Sequence, residues 1–221
     1  MDDYPHSQLS RIDRAIDALT AERRRVAART PRVAFQGAPG AFSEDAVRDF
    51  FGDRVEARPC RTLADVFREL ERCSAEFGVI PVRNTLAGAV PGSAELIRDQ
   101  AVHVADERRL RIAHMLIGAP GASLETVRVV RSHSVALAQC TRFFATHQEF
   151  VTEPAFDTAG AVAEIVAAAD PAIAAVGSAR AAALYGGVVL AEHLQDNPDN
   201  FTTFVLLAPG RAPARNTSMA C

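Results

Sequence analysis

Short apolar runs alternate with stretches of helical period through most of the 221-residue sequence, and this alternation limits the fold more than any other feature. The segments "RVAFQG" (32–37), "FGVIPV" (77–82), "VRVVRS" (127–132), "AIAAVGS" (172–178) and "FTTFVLLA" (201–208) read as strands, several of them apolar enough to be buried on both faces. Between them, "TLADVFRELERC" (62–73) sets Leu63, Val66, Phe67 and Leu70 on one stripe and opens with Thr62 and Asp65 at capping-box spacing. "TAGAVAEIVAAADP" predicts a helix from Thr158 to a stop at Pro171. Together these predict an α/β chain with mainly parallel strands. Residues 1–31 depart from the pattern: Leu9, Ile12, Ile16 and Leu19 recur every three or four positions, which predicts one amphipathic helix for packing or dimer contact. The tail over 211–221 is predicted to be disordered.

Composition excludes several classes of function. A net charge of -3 and 48% apolar residues leave no broad basic surface for nucleic acid. No apolar run approaches the roughly 20 residues that span a bilayer, and "MDDYPHSQLSR" lacks the order of a signal peptide, so a cytoplasmic location is expected. Cys60, Cys73, Cys140 and Cys221 share no CxxC spacing and no histidine at zinc-ligand spacing, so neither metal nor disulfide is expected. All 24 cationic side chains are arginine. That excludes a Schiff-base lysine, a pyridoxal phosphate anchor and a Walker lysine, and leaves anions to Arg forks, hydroxyls, amides and helix N-termini.

Four stretches carry candidate chemistry. In "GVIPVRNTLAGAVPGS" (78–93) an apolar strand delivers Arg83, Asn84 and Thr85 together, as a strand does at the edge of a cleft. "GAPGAF" (37–42) precedes a helix that starts near Ser43; taken alone it reads first as a strand-to-helix turn and second as an anion loop. "RSHSVALAQC" (131–140) puts Ser132 and His133 at a strand end and Gln139 on the following helix, where Ser132 and Ser134 read first as N-caps. "DNPDNFTTF" (196–204) sets Thr202 and Thr203 where a turn becomes a strand, which β-propensity alone explains.

The order and spacing of "VAFQGAPGAFSEDA", "FGVIPVRNTLAGAVPGS", "VVRSHSVALAQC" and "AAALYGGVVLAEHLQDNPDNFTTFVLLA" resemble the prephenate dehydratase family from about Arg32 to Pro209. The resemblance implies two α/β lobes around a central cleft, a periplasmic-binding-protein-like (type II) arrangement preceded by the N-terminal helix. Lobe 1 is expected over 32–108 plus 203–210 and lobe 2 over 109–202, with crossings near "ERRLRIAHMLIGA" and "NFTTFVLL". It also implies conversion of prephenate to phenylpyruvate with loss of water and carbon dioxide, with no cofactor, no nucleic acid and no membrane, in a chain that pairs as a homodimer or stands alone. The essential threonine of the family's Thr-Arg-Phe motif falls on Thr202, followed by Thr203 and Phe204. The family's substrate-binding positions fall on Asn84, Thr85, Ser132 and Gln139.

Two positions depart from the family pattern. Arg83 stands where the family has glutamate, and Thr203 stands where it has arginine, so the expectation is that Arg83 takes over the lost cation's hold on a substrate carboxylate. The departures also keep an alternative open: a prephenate decarboxylase of secondary metabolism, which would retain the hydroxyl. A binding protein for small carboxylates without catalysis is a third alternative on the same fold. Because the resemblance stops near Pro209, no regulatory ACT domain and no response to phenylalanine are expected.

Overall fold

The structure is a computed structural model, and it describes residues 30–210. The amphipathic helix expected over 1–31 and the tail 211–221 fall outside the described residues, apart from 30 and 31.

Strands β1 (Arg32–Gln36), β2 (Glu56–Cys60), β3 (Phe77–Asn84), β4 (Gly88–Ala89), β5 (Val102–Arg111) and β11 (Phe201–Pro209) form one sheet. Its order is β2-β1-β3-β11-β5, with β4 folded back on β3. Strands β6 (Met115–Gly118), β7 (Val129–His133), β8 (Val151–Ala155), β9 (Ile173–Gly177) and β10 (Val188–Ala191) form the other, in the order β10-β6-β9-β7-β8. The chain leaves the first sheet after Arg111 and enters the second at Met115; it returns between Ala191 and Phe201. The two passages are tied where Ile112 N–H donates to Asn200 C=O at 2.8 Å.

Both sheets are mixed, which corrects the expectation of mainly parallel strands. β1 pairs in parallel with β2 and β3, and β7 with β8 and β9. β11 runs antiparallel to β3 and β5, and β6 antiparallel to β9 and β10. The parallel pairs are those joined by helices; the antiparallel ones flank the segments that pass between sheets, where no helical crossover is needed.

Seven helices are described: α1 (Phe42–Phe51), α2 (Leu63–Glu71), α3 (Ser93–Asp99), α4 (Ser134–Ala138), α5 (Thr141–Thr146), α6 (Thr158–Ala168) and α7 (Ala179–Tyr185). α2 begins as its sequence predicts, with Thr62 Oγ1 accepting from Asp65 N–H at 3.2 Å and Asp65 Oδ2 accepting from Thr62 N–H at 2.9 Å. Its apolar stripe of Val66, Phe67 and Leu70 is buried against one face of the first sheet with Ala34, Ile80, Val205 and Leu207. The other face of that sheet offers Val33, Phe35, Val79, Phe204 and Leu206. These join Ile117, Val162, Ile165 and Ala175 in a core that runs on into the second sheet. β11 thus supplies alternate residues to two cores, the period of two that its sequence carries.

The turn before α1 is held from the second sheet's side. Ser178 Oγ donates to Gly40 C=O at 2.6 Å, Tyr185 Oη donates to Pro39 C=O at 2.9 Å, and Arg180 pairs with Asp45. Gly40 has φ +86°, and a Cβ there would lie 2.8 Å from the Ala181 backbone, so both conformation and contact require glycine.

Candidate active site

A cavity of about 600 Å³ lies between the sheets. β3 and β11 deliver its polar floor. Along β11, Thr202 and Phe204 face it by ordinary alternation. On β3 the register with β11 shifts: Thr203 pairs with Arg83 but Phe204 with Pro81, leaving Val82 as the extra residue of a bulge. The bulge reverses the alternation, so that Pro81 and Asn84 both line the cavity while Arg83 is exposed.

Asn84 is the hub of a buried hydrogen-bond network. Its Oδ1 accepts from the backbone N–H groups of Leu86 and Ala87, both at 2.9 Å, and from Gln139 Nε2 at 3.3 Å. Its Nδ2 donates to Asn200 Oδ1 (2.8 Å), Thr202 Oγ1 (2.9 Å) and Phe201 C=O (3.1 Å), three acceptors sharing two hydrogens. Gln139, the C-cap of α4, accepts through Oε1 from Asn200 Nδ2 and from His114 Nε2, each at 2.9 Å. Thr202 is 8% exposed; its Oγ1 receives a hydrogen bond from Asn84, and no acceptor for its own proton occurs among the described residues. The hydroxyl therefore retains a proton to give to whatever occupies the cavity.

His114, on the passage between the sheets, has a fixed tautomer. An amide oxygen only accepts, so the hydrogen bond to Gln139 places the proton on Nε2, and Nδ1 is a buried acceptor without a partner. Burial holds this imidazole below the 6.5 of a free histidine, against the opposing pull of the Gln139 hydrogen bond. As pH falls through 6.5 the unfolded chain takes up a proton here that the folded chain refuses. Stability is therefore expected to fall toward acid by up to about 1.4 kcal/mol per pH unit, until the folded imidazole itself titrates. His114→Gln should reduce the difference in urea stability between pH 7.5 and 5.5; an unchanged difference would rule out this source.

Of the eight residues that the family resemblance and its departures mark, the cavity brings together Asn84, Gln139, Thr202 and Phe204 and leaves out Arg83, Thr85, Ser132 and Thr203; His133, at the end of β7, also lines it. Thr85 is exposed and ties the loop beyond β3 to the turn before β11, its Oγ1 donating to Asp199 C=O (2.8 Å) and accepting from Phe201 N–H (2.9 Å). Ser132 is fully buried and donates to Val176 C=O at 2.7 Å, bonding β7 to β9; His133, not Ser132 or Ser134, caps α4. Arg83 and Thr203 are cross-strand neighbours on the face turned away from the cavity. A carboxylate hold by Arg83 inside the cleft is thereby corrected, the bulge at Val82 being the physical reason. If the cavity turns over prephenate as the resemblance implies, Arg83→Ala is expected to change kcat/KM by no more than about twofold, and to combine additively with Thr203→Arg. A large loss, or strong coupling between the two, would return Arg83 to the site.

His114 and Asn200 join the site without having been singled out in the sequence. His114 sits alone among apolar neighbours in "IAHMLI", as a core histidine does, and Asn200 is one of several turn-forming residues in "DNPDN". Among the described residues that line the cavity, none is arginine, and Asp157 is the one acidic residue. Among the described residues, no group of three or more His, Cys, Asp and Glu is placed to hold a metal ion, and no helix is long and apolar enough to cross a membrane.

The prephenate dehydratase family model matches residues 33–212. Arogenate dehydratase 1 of Petunia hybrida is 39% identical over 180 residues, which cover 81% of this chain and 42% of that protein. The chain spans less than half the length of this and the other curated relatives at similar identity. Among solved structures, prephenate dehydratase from Arthrobacter aurescens in complex with L-Phe superposes with a TM-score of 0.76 at 26% identity, over 82% of this chain and 61% of that one. A quorum quenching acylase, GqqA, superposes with a TM-score of 0.75 at 32% identity, over 82% and 65%. With the family model spanning both sheets, the cavity and the strand that carries Thr202, the chain belongs to the prephenate dehydratase family.

Proposed function

We propose that the chain is a lyase domain that aromatises prephenate to phenylpyruvate, with Thr202 as the proton donor. The carrying observation is the Thr202 hydroxyl: buried in the cavity wall, accepting from Asn84 Nδ2, and with its proton uncommitted. In the reaction the ring carboxylate leaves as carbon dioxide, and the electron pair of the broken C–C bond enters the ring. The ring C–O bond breaks at the far side, and the departing oxygen takes the proton of Thr202 to leave as water; solvent then reprotonates the threonine. As charge gathers on Thr202 Oγ1, the hydrogen bond donated by Asn84 Nδ2 stabilises it. Asn200 and Gln139 hold Asn84, and the apolar wall including Phe42 and Phe204 receives the ring.

Two lobes, about 32–108 plus 203–210 and about 109–202, closing on this cavity belong to the same proposal, as do a cytoplasmic location, action without a cofactor and homodimer formation. Arogenate is a second substrate for one specific reason: Asp157 lines the cavity and offers its ammonium a partner, where prephenate carries a carbonyl.

Incubation of the chain with prephenate, and separately with arogenate, followed by NMR of the products, tests the proposal. Phenylpyruvate or phenylalanine is the expected product. A decarboxylated ring that keeps its hydroxyl would replace the reading with the decarboxylase, and unchanged substrate would remove catalysis altogether.

A further inference from the structure

A cavity that takes a carboxylate yet is lined by no arginine among the described residues must supply the countercharge another way. The start of α1 does so. Its N-cap, Ala41, contributes no side-chain cap. Ala41 N–H donates to Ala38 C=O at 3.1 Å and Glu44 N–H to Ala41 C=O at 2.9 Å, but the N–H groups of Phe42 and Ser43 have no acceptor among the described residues. Both residues line the cavity. Ser43 is only 6% exposed, its hydroxyl makes no hydrogen bond among the described residues, and that oxygen is not sealed in the core, so it opens on the cavity.

The two acids of the first turn leave this end of the helix positive. Glu44 accepts from Gly40 N–H at 2.7 Å and pairs with Arg48 at 2.8 Å, while Asp45 pairs with Arg180. Each carboxylate is neutralised by a guanidinium outside the cavity lining. The turn itself is held by Ser178 and Tyr185, so the donors need little reorganisation to meet an anion.

We propose that Phe42 N–H, Ser43 N–H and Ser43 Oγ form a carboxylate subsite, which receives one carboxylate of the substrate by helix-terminal hydrogen bonds in place of an arginine fork. The identity of the molecule that carries the carboxylate rests on the dehydratase reading; the subsite itself does not.

The test is calorimetric binding of phenylpyruvate to the whole chain, with prephenate turnover measured in parallel. Ser43→Ala removes the hydroxyl and is expected to raise Kd for phenylpyruvate, and KM for prephenate, about tenfold. Ser43→Asp is expected to raise both by about a hundredfold or more while Tm holds or rises, because an acid in the first turn suits the helix and repels the ligand. Kd and KM unchanged in both variants overturn the subsite, as does a wild type that binds no phenylpyruvate. Ser43→Ala decides the question alone should Ser43→Asp fail to fold. Ser43-dependent phenylpyruvate binding in a chain that does not turn over prephenate keeps the subsite and removes the dehydratase. Turnover that ignores both variants does the reverse.

Discussion

Thr202→Ala lowers kcat on prephenate by about 10² or more while KM stays near the wild-type value, if the hydroxyl donates its proton as the ring C–O bond breaks. Such a donor acts in the transition state, and its contribution to ground-state binding is small. Thr202→Val should behave like the alanine variant, since it keeps the shape and the β-branched fit to a central strand but has no proton to give. Thr202→Ser keeps the hydroxyl and should recover most of the rate. Steady-state kinetics on the three variants separate chemistry from packing: a valine variant with full turnover would end the assignment, and a serine variant as slow as alanine would move the role from the hydroxyl to the side chain's fit.

The second large effect belongs to Asn84. Truncation to alanine leaves Leu86 N–H, Ala87 N–H, Asn200 Oδ1 and Gln139 Nε2 short of a partner at once; Asn200 is fully buried, whereas Leu86 and Ala87 are exposed and can turn their N–H groups to water. Orphaned buried polar groups cost about 1–3 kcal/mol each, and relaxation of the loop after β3 recovers part of it, so Asn84→Ala is expected to lose about 2–4 kcal/mol in urea denaturation. Asn84→Asp preserves the acceptor for both backbone N–H groups but not the donor to Thr202. It should be the more stable of the two and still slow by about tenfold or more, because the hydroxyl it leaves behind faces a carboxylate. A loss below about 1 kcal/mol for the alanine variant would show that the network is dispensable.

What could be read from the sequence follows from how local each feature is. The capping box of α2 lies within four residues and appears as written, and the five apolar runs all become strands because burial on both faces leaves a continuous apolar signature. β5 carries a weaker signature: as "VHVADERRLR" at a sheet edge it is largely exposed, and its apolar residues are diluted by charge. The orientation of Arg83 is not encoded locally either. Strict alternation from Pro81 aims position 83 into the cleft, and one extra residue in the register with β11 aims position 84 there instead. Motif resemblance transfers residue identity without transferring that parity. The network of His114, Gln139, Asn200 and Asn84 needs four segments of chain at one point, and no spacing in the sequence encodes it.

The position of β11 carries a consequence for synthesis of the chain on the ribosome. The second sheet is contiguous, from Met115 to Ala191, and contains nothing that must wait for later residues to pair. The first sheet is different. β3 and β5 each meet β11 and not one another, so a nascent chain that has not reached Pro209 holds two strands with unpaired edges around a vacant central place. Until then Asn84 has neither Thr202 nor Asn200 to bind. The candidate donor thus arrives on the strand that closes the sheet, and the polar floor of the cavity forms in the same late, long-range step. Chains stalled before that step expose the sheet edges that most readily aggregate, and hold a folded second sheet with no site to serve.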